Sequence, residues 1–109
     1  MRNPWLGLLF LSAMGACASS GSSTGIELVT CATDSTLTYE NYGAAFISTN
    51  CLSCHRSNES PTLATQAAVQ ANVENILDTT VYTDYMPDGR SLTNAQREEL
   101  GAWLACGAP

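Results

Sequence analysis

Cys51-Leu52-Ser53-Cys54-His55 sets two thiols two residues apart and an imidazole directly after them. This order is the attachment signature of c-type haem. Each thiol can add to one vinyl group of a single porphyrin, and His55 then lies under the iron as a proximal ligand. Haem electronics follow the axial pair, and a Met opposite a His raises the reduction potential. The chain holds three Met, at positions 1, 14 and 86. The first two fall in a stretch that reads as a removed signal, which leaves Met86. It lies in Tyr85-Met86-Pro87-Asp88-Gly89, a Pro/Gly loop with few helical constraints. Met also fills gaps in cores. The demand created by the motif, with no other Met in the mature chain to meet it, favours Met86 as the second axial ligand.

Two other chemistries use similar spacings. A structural zinc ion needs four tetrahedral ligands, usually as two pairs. Here the second pair is missing, and adjacent Cys54 and His55 sit awkwardly on one ion. A thioredoxin-type redox motif belongs in a βαβ context, which this sequence lacks.

A chain of 109 residues makes at most one domain. Its net charge is −6, from four Arg, no Lys and ten acidic residues. A nucleic-acid partner requires a cationic footprint and is excluded on this ground. An electron-transfer partner would be steered by the opposite sign, through a basic docking surface.

The amino end reads as a processing signal. Arg2 supplies a positive start, and the apolar run 5–13 is too short to span a bilayer. Met14-Gly15-Ala16-Cys17 resembles a bacterial lipobox, with Met where Leu is usual. This predicts a signal peptide at 1–16, lipidation at Cys17 and export to the periplasmic face of a bacterial membrane, the outer one favoured by Ala18. A plain secretory signal and a soluble periplasmic protein form the alternative. Residues 18–25, rich in Ser and Gly, read as a flexible tether within 17–30 that spans roughly 15–20 Å. The domain follows, at 31–109.

The remaining cysteines are Cys31 and Cys106. In an oxidising compartment they are a plausible disulfide; two independent thiols are the alternative. A bridge would close a loop of about 75 residues, for which the chain-entropy model gives roughly 4 kcal/mol.

Three helices must position these groups. The first is expected over 39–50, capped by Thr38, with Tyr39, Tyr42, Phe46 and Ile47 at helical spacing. Gly43 among them implies close approach of another backbone. A second helical segment is expected over 61–78, with Ser60 as cap and Pro61 at the first helical position. Residues 79–84 are too short and isolated for a sheet and read as the approach to the Met86 loop. The last helix opens with a capping box at Thr93-Asn94-Ala95-Gln96. It buries Leu100, Trp103 and Leu104, exposes Glu98 and Glu99, and ends at Gly107-Ala108-Pro109.

Over about residues 36–108 the chain resembles the class I cytochrome c family. The resemblance is carried by a helix with an aromatic/Gly pair before Cys51-Leu52-Ser53-Cys54-His55, by Met86-Pro87, and by a capped last helix ending Trp103-Leu104-Ala105-Cys106-Gly107. It implies a small all-α cytochrome c fold, with three to four helices around one covalently attached haem. It implies that the first and last helices cross with Gly43, Phe46 and Ile47 against Leu100 and Trp103. It also implies that the Pro61 carbonyl holds the His55 ring, in a Ser60-Pro61-Thr62-Leu63 segment with Ser where the family has Gly.

The function expected from these readings is electron carriage, not catalysis. His55 is the single His, so no distal acid or base is available. Tyr82, Tyr85, Arg90 and Arg56 are candidate hydrogen-bond donors to a haem propionate, and a solvated face is the alternative for each. A haem sensor with an open sixth position is the second reading. A lipoprotein whose haem is structural within a larger complex is the third.

Overall fold

The computed structural model describes residues 21–109. The signal peptide expected at 1–16 and the lipidation expected at Cys17 lie outside the described residues. The described chain is helical, with five α-helical segments and no strand. No helix among the described residues is long and apolar enough to cross a membrane.

A π-helical turn, Tyr39–Gly43, runs without a break into α1, Ala44–Asn50. Thr38 caps it. Its hydroxyl accepts from the Asn41 amide at 3.1 Å, and the Asn41 side chain accepts from the Thr38 amide at 2.7 Å. Two of the orphan donors at a helix start are satisfied in this way. The wider π turn was not expected from the sequence. The Gly43 amide reaches back to the Thr38 carbonyl, five residues away, which is the π pattern.

Helix α2, Leu52–His55, follows at once. Cys51 caps it with φ −123° and ψ −36°, and its carbonyl accepts from the His55 amide at 2.9 Å. Residues 61–65 are not helical, contrary to the expected start at Pro61. Their backbone is drawn to His55 instead: the Leu63 amide donates to the His55 carbonyl at 2.7 Å. The real cap is Thr65, whose hydroxyl accepts from the Ala68 amide at 3.1 Å. Helix α3, Gln66–Ala71, starts there. Asn72, with φ −116° and ψ 17°, interrupts the run before α4, Val73–Ile76. A second π turn, Leu77–Val81, then carries the chain into residues read from sequence as irregular.

Helix α5, Asn94–Ala105, has the expected capping box: the Thr93 hydroxyl accepts from the Gln96 amide, and the Gln96 side chain accepts from the Thr93 amide. Leu100, Trp103 and Leu104 are buried, while Glu98 and Glu99 are exposed. They join Ile47, Leu63, Val69, Ile76, Leu77 and Val81 in one core. Gly43 packs on the Trp103 indole so closely that a Cβ would overlap the ring. The close approach at Gly43 is therefore to a side chain rather than to a backbone. Tyr42 meets the same indole edge-on, with ring centroids 5.7 Å apart, a favoured aromatic geometry.

The ends are tied down. Gly107, at φ +86°, turns the chain after α5, and the Pro109 carbonyl accepts from the Tyr39 amide at 2.6 Å and from Trp103 Nε1 at 3.3 Å. Cys31 and Cys106 are joined by a disulfide, with Cα atoms 4.7 Å apart. Within the stretch read as a tether, Ser22 bonds to Asp84, Thr24 to the Tyr82 and Val81 carbonyls, and the Val29 amide to the Tyr82 hydroxyl. A Cβ on Gly101 would crowd Val29, so α5 also packs on this segment.

Candidate functional site

A cleft lies between the Cys51–His55 turn and the loop at Met86. Two adjoining hollows form it. One is lined by Cys51, Cys54, His55, Met86 and Pro87, the other by Cys51, His55, Pro61, Leu63, Ile76 and Met86. The larger encloses about 220 Å³, and about 620 Å³ with its open mouth. The interior alone is smaller than the roughly 300–1,000 Å³ of small-ligand sites. A flat macrocycle seated with an edge outward would use the mouth as well.

His55 is 8% exposed. Its ring is held by the loop that returns after α2, with Nδ1 2.8 Å from the Pro61 carbonyl oxygen. A carbonyl can only accept, so Nδ1 carries a proton, and in the neutral ring the lone pair is then on Nε2. Such a bond fixes the tautomer of a ligating imidazole and raises its basicity.

Cys51 is the free cysteine among the described residues. Burial pushes its thiol up to about 11, so it is protonated at neutral pH. Cys54 is disulfide-bonded in this structure, so any covalent chemistry there calls for the reduced thiol. No cluster of three or more His, Cys, Asp or Glu among the described residues is arranged to hold a metal ion.

Met86 is held by its backbone. Its amide donates to the Thr79 carbonyl at 2.8 Å, and its carbonyl accepts from Arg97 Nη1 at 3.0 Å. Arg97, only 4% exposed, was not singled out in the sequence. The signal for it was there, since positions 97, 100 and 104 share one face of α5. Burial lowers the pKa of its guanidinium and the nearby Asp84 carboxylate opposes the shift; an Arg stays charged through both.

None of the four candidate propionate donors lines this cleft. The Tyr82 hydroxyl accepts from the Val29 amide at 3.1 Å. Arg90 Nη1 donates to the Thr49 carbonyl. Tyr85 and Arg56 are exposed. The cleft instead offers Asn50, Asn75, Thr79 and Thr80 as polar neighbours, which the sequence reading did not single out.

Compared with protein-family models, curated proteins and solved structures, the chain matches none.

Proposed function

We propose that this chain is a small exported electron carrier of the class I cytochrome c kind, holding one covalent haem between His55 and Met86. The observation that carries the reading is the bond from His55 Nδ1 to the Pro61 carbonyl. It leaves Nε2 as the free donor of a buried imidazole in a cleft that Met86 also lines. The donor set fits the group: an oriented imidazole, a soft thioether, and two cysteines on the same turn, beside apolar Pro61, Leu63 and Ile76.

Bound haem supplies a one-electron iron couple. The residues do the rest. Cys51 and Cys54 would hold it as thioethers. His55 would ligate through Nε2, with Pro61 keeping the ring from turning. Met86 would supply the sixth ligand, and Leu63 and Ile76 would keep water from the buried edge. A net charge of −6 favours a basic redox partner.

The oxidised optical spectrum tests the carrier reading. A weak band at the red end of the visible spectrum, characteristic of Met–iron(III) bonding, is the expected result. Its absence would move the assignment to a haem module with an open sixth position.

The proposed setting is the periplasmic face of a bacterial membrane, reached through lipidation at Cys17, and it is supported by the Gly15-Ala16-Cys17 ending. Membrane fractions should hold the wild type, and Cys17→Ser should release or misprocess it. Wild-type protein found only in the soluble periplasm would mean a plain secretory signal.

A further inference from the structure

We infer that Arg97 is the positioning residue for Met86: from α5 its guanidinium gathers the carbonyls of Thr80 and Met86 and so fixes the loop that carries the thioether to the His55 cleft. The inference rests on the proposed role of Met86 as an iron ligand, but its geometry stands apart from that role. Arg97 Nη1 lies 2.5 Å from the Thr80 oxygen, 3.0 Å from the Met86 oxygen and 3.5 Å from the Thr83 oxygen. These carbonyls come from the π turn Leu77–Val81 and from the loop that follows it into the cleft. With the Met86 amide bonded to the Thr79 carbonyl, both polar backbone atoms of Met86 are fixed.

The anchor is rigid. Arg97 sits in the first turn of α5, its amide bonded to the Thr93 carbonyl at 3.0 Å, and the same helix buries Leu100, Trp103 and Leu104. All three carbonyls gather on one nitrogen, Nη1, which the plane of the guanidinium holds in a fixed direction. An ammonium at this place is a single point charge on a flexible stem. A buried cation whose bonds go to main-chain oxygens of one loop is an expensive arrangement unless that loop must be held. A thioether is a weak ligand, and any rival ligand gains when the loop carrying it loosens.

The test uses the full-length haem protein with Arg97→Met and Arg97→Lys. Two quantities are measured: imidazole affinity of the ferric form, and hydrogen exchange at the Met86 amide relative to the Leu100 amide in the core. The exchange measurement does not depend on haem. Arg97→Met should bind imidazole about tenfold more tightly and exchange at Met86 about tenfold faster, the scale of losing charged hydrogen bonds. Arg97→Lys should fall between it and the wild type. In a Met86→Ala background, Arg97→Met should leave imidazole affinity unchanged, because its effect is exerted through Met86.

Wild-type values for both quantities in both Arg97 variants would overturn the inference. An Arg97 effect that persists in full without Met86 would also overturn it, by assigning Arg97 a general structural role. Should Arg97→Met not fold, Arg97→Lys decides on the same two readouts. If Met86→Ala alone left imidazole affinity unchanged, the ligand assignment would fail, and the exchange measurement would still decide whether Arg97 fixes the loop.

Discussion

Protein carrying Cys51→Ala and Cys54→Ala together is expected to show no haem on a denaturing gel. The two cysteines share a single helical turn, with Cys51 at its cap and the Cys54 and His55 amides both bonded to the Cys51 carbonyl. They therefore move as one unit with the imidazole. Each single substitution removes one thioether and should reduce the covalent yield. Only the double change removes every covalent tether. The axial pair remains in the double variant, so native protein could still hold haem without a covalent bond, and the denaturing step is what makes the test decisive. Covalent haem surviving in the double variant would place attachment elsewhere and contradict the assignment of both cysteines.

Met86→Ala should lower the midpoint potential and open the iron to carbon monoxide, with haem still attached through Cys51 and Cys54. A thioether is a soft, neutral donor that favours Fe(II) over Fe(III), so its loss removes the term that holds the potential up. The expected fall is on the order of 0.1 V, a fraction of the roughly 0.8 V that axial ligation spans. The sequence has no second His, and its other Met residues, Met1 and Met14, fall in the segment that the proposed signal cleavage would remove. Carbon monoxide should bind the reduced variant readily and the reduced wild type poorly. If both potential and carbon monoxide binding stay at wild-type values, Met86 is not the ligand. An open-site haem module then becomes the better account.

What the sequence made legible follows a physical division. Local signals transferred well. The cap at Thr38, the capping box at Thr93, the apolar face of α5 and the turn at Gly107 each depend on residues within a few positions of one another. The start of α3 did not transfer. Ser60-Pro61 has the composition of a helix start, but the Pro61 carbonyl and the Leu63 amide are taken by His55, and Thr65 caps the helix. Local propensity gave way there to a contact that closes the loop on the site.

Arg97 was missed for a similar reason. A charged residue in an exposed helix turn ordinarily faces water. Periodicity places it on the buried face of α5 with Leu100 and Leu104, but the three carbonyls that receive it there come from residues 80–86, and no pattern in α5 reveals them. The Gly43 contact was half legible. A Gly in a helix implies a close neighbour, but not that the neighbour is the Trp103 ring. The cleft brings Cys51, His55 and Met86 together around residues 61, 63 and 76; those three and the contact of Pro61 with His55 were legible, and the places of 63 and 76 beside them were not.

The most direct test is the intact mass of the mature wild-type protein, made with a cytochrome c maturation system and run under denaturing, reducing conditions with a haem stain. The account predicts one haem added covalently, with Cys51 and Cys54 no longer alkylatable. A mass without haem, with both thiols open to alkylation, would contradict it.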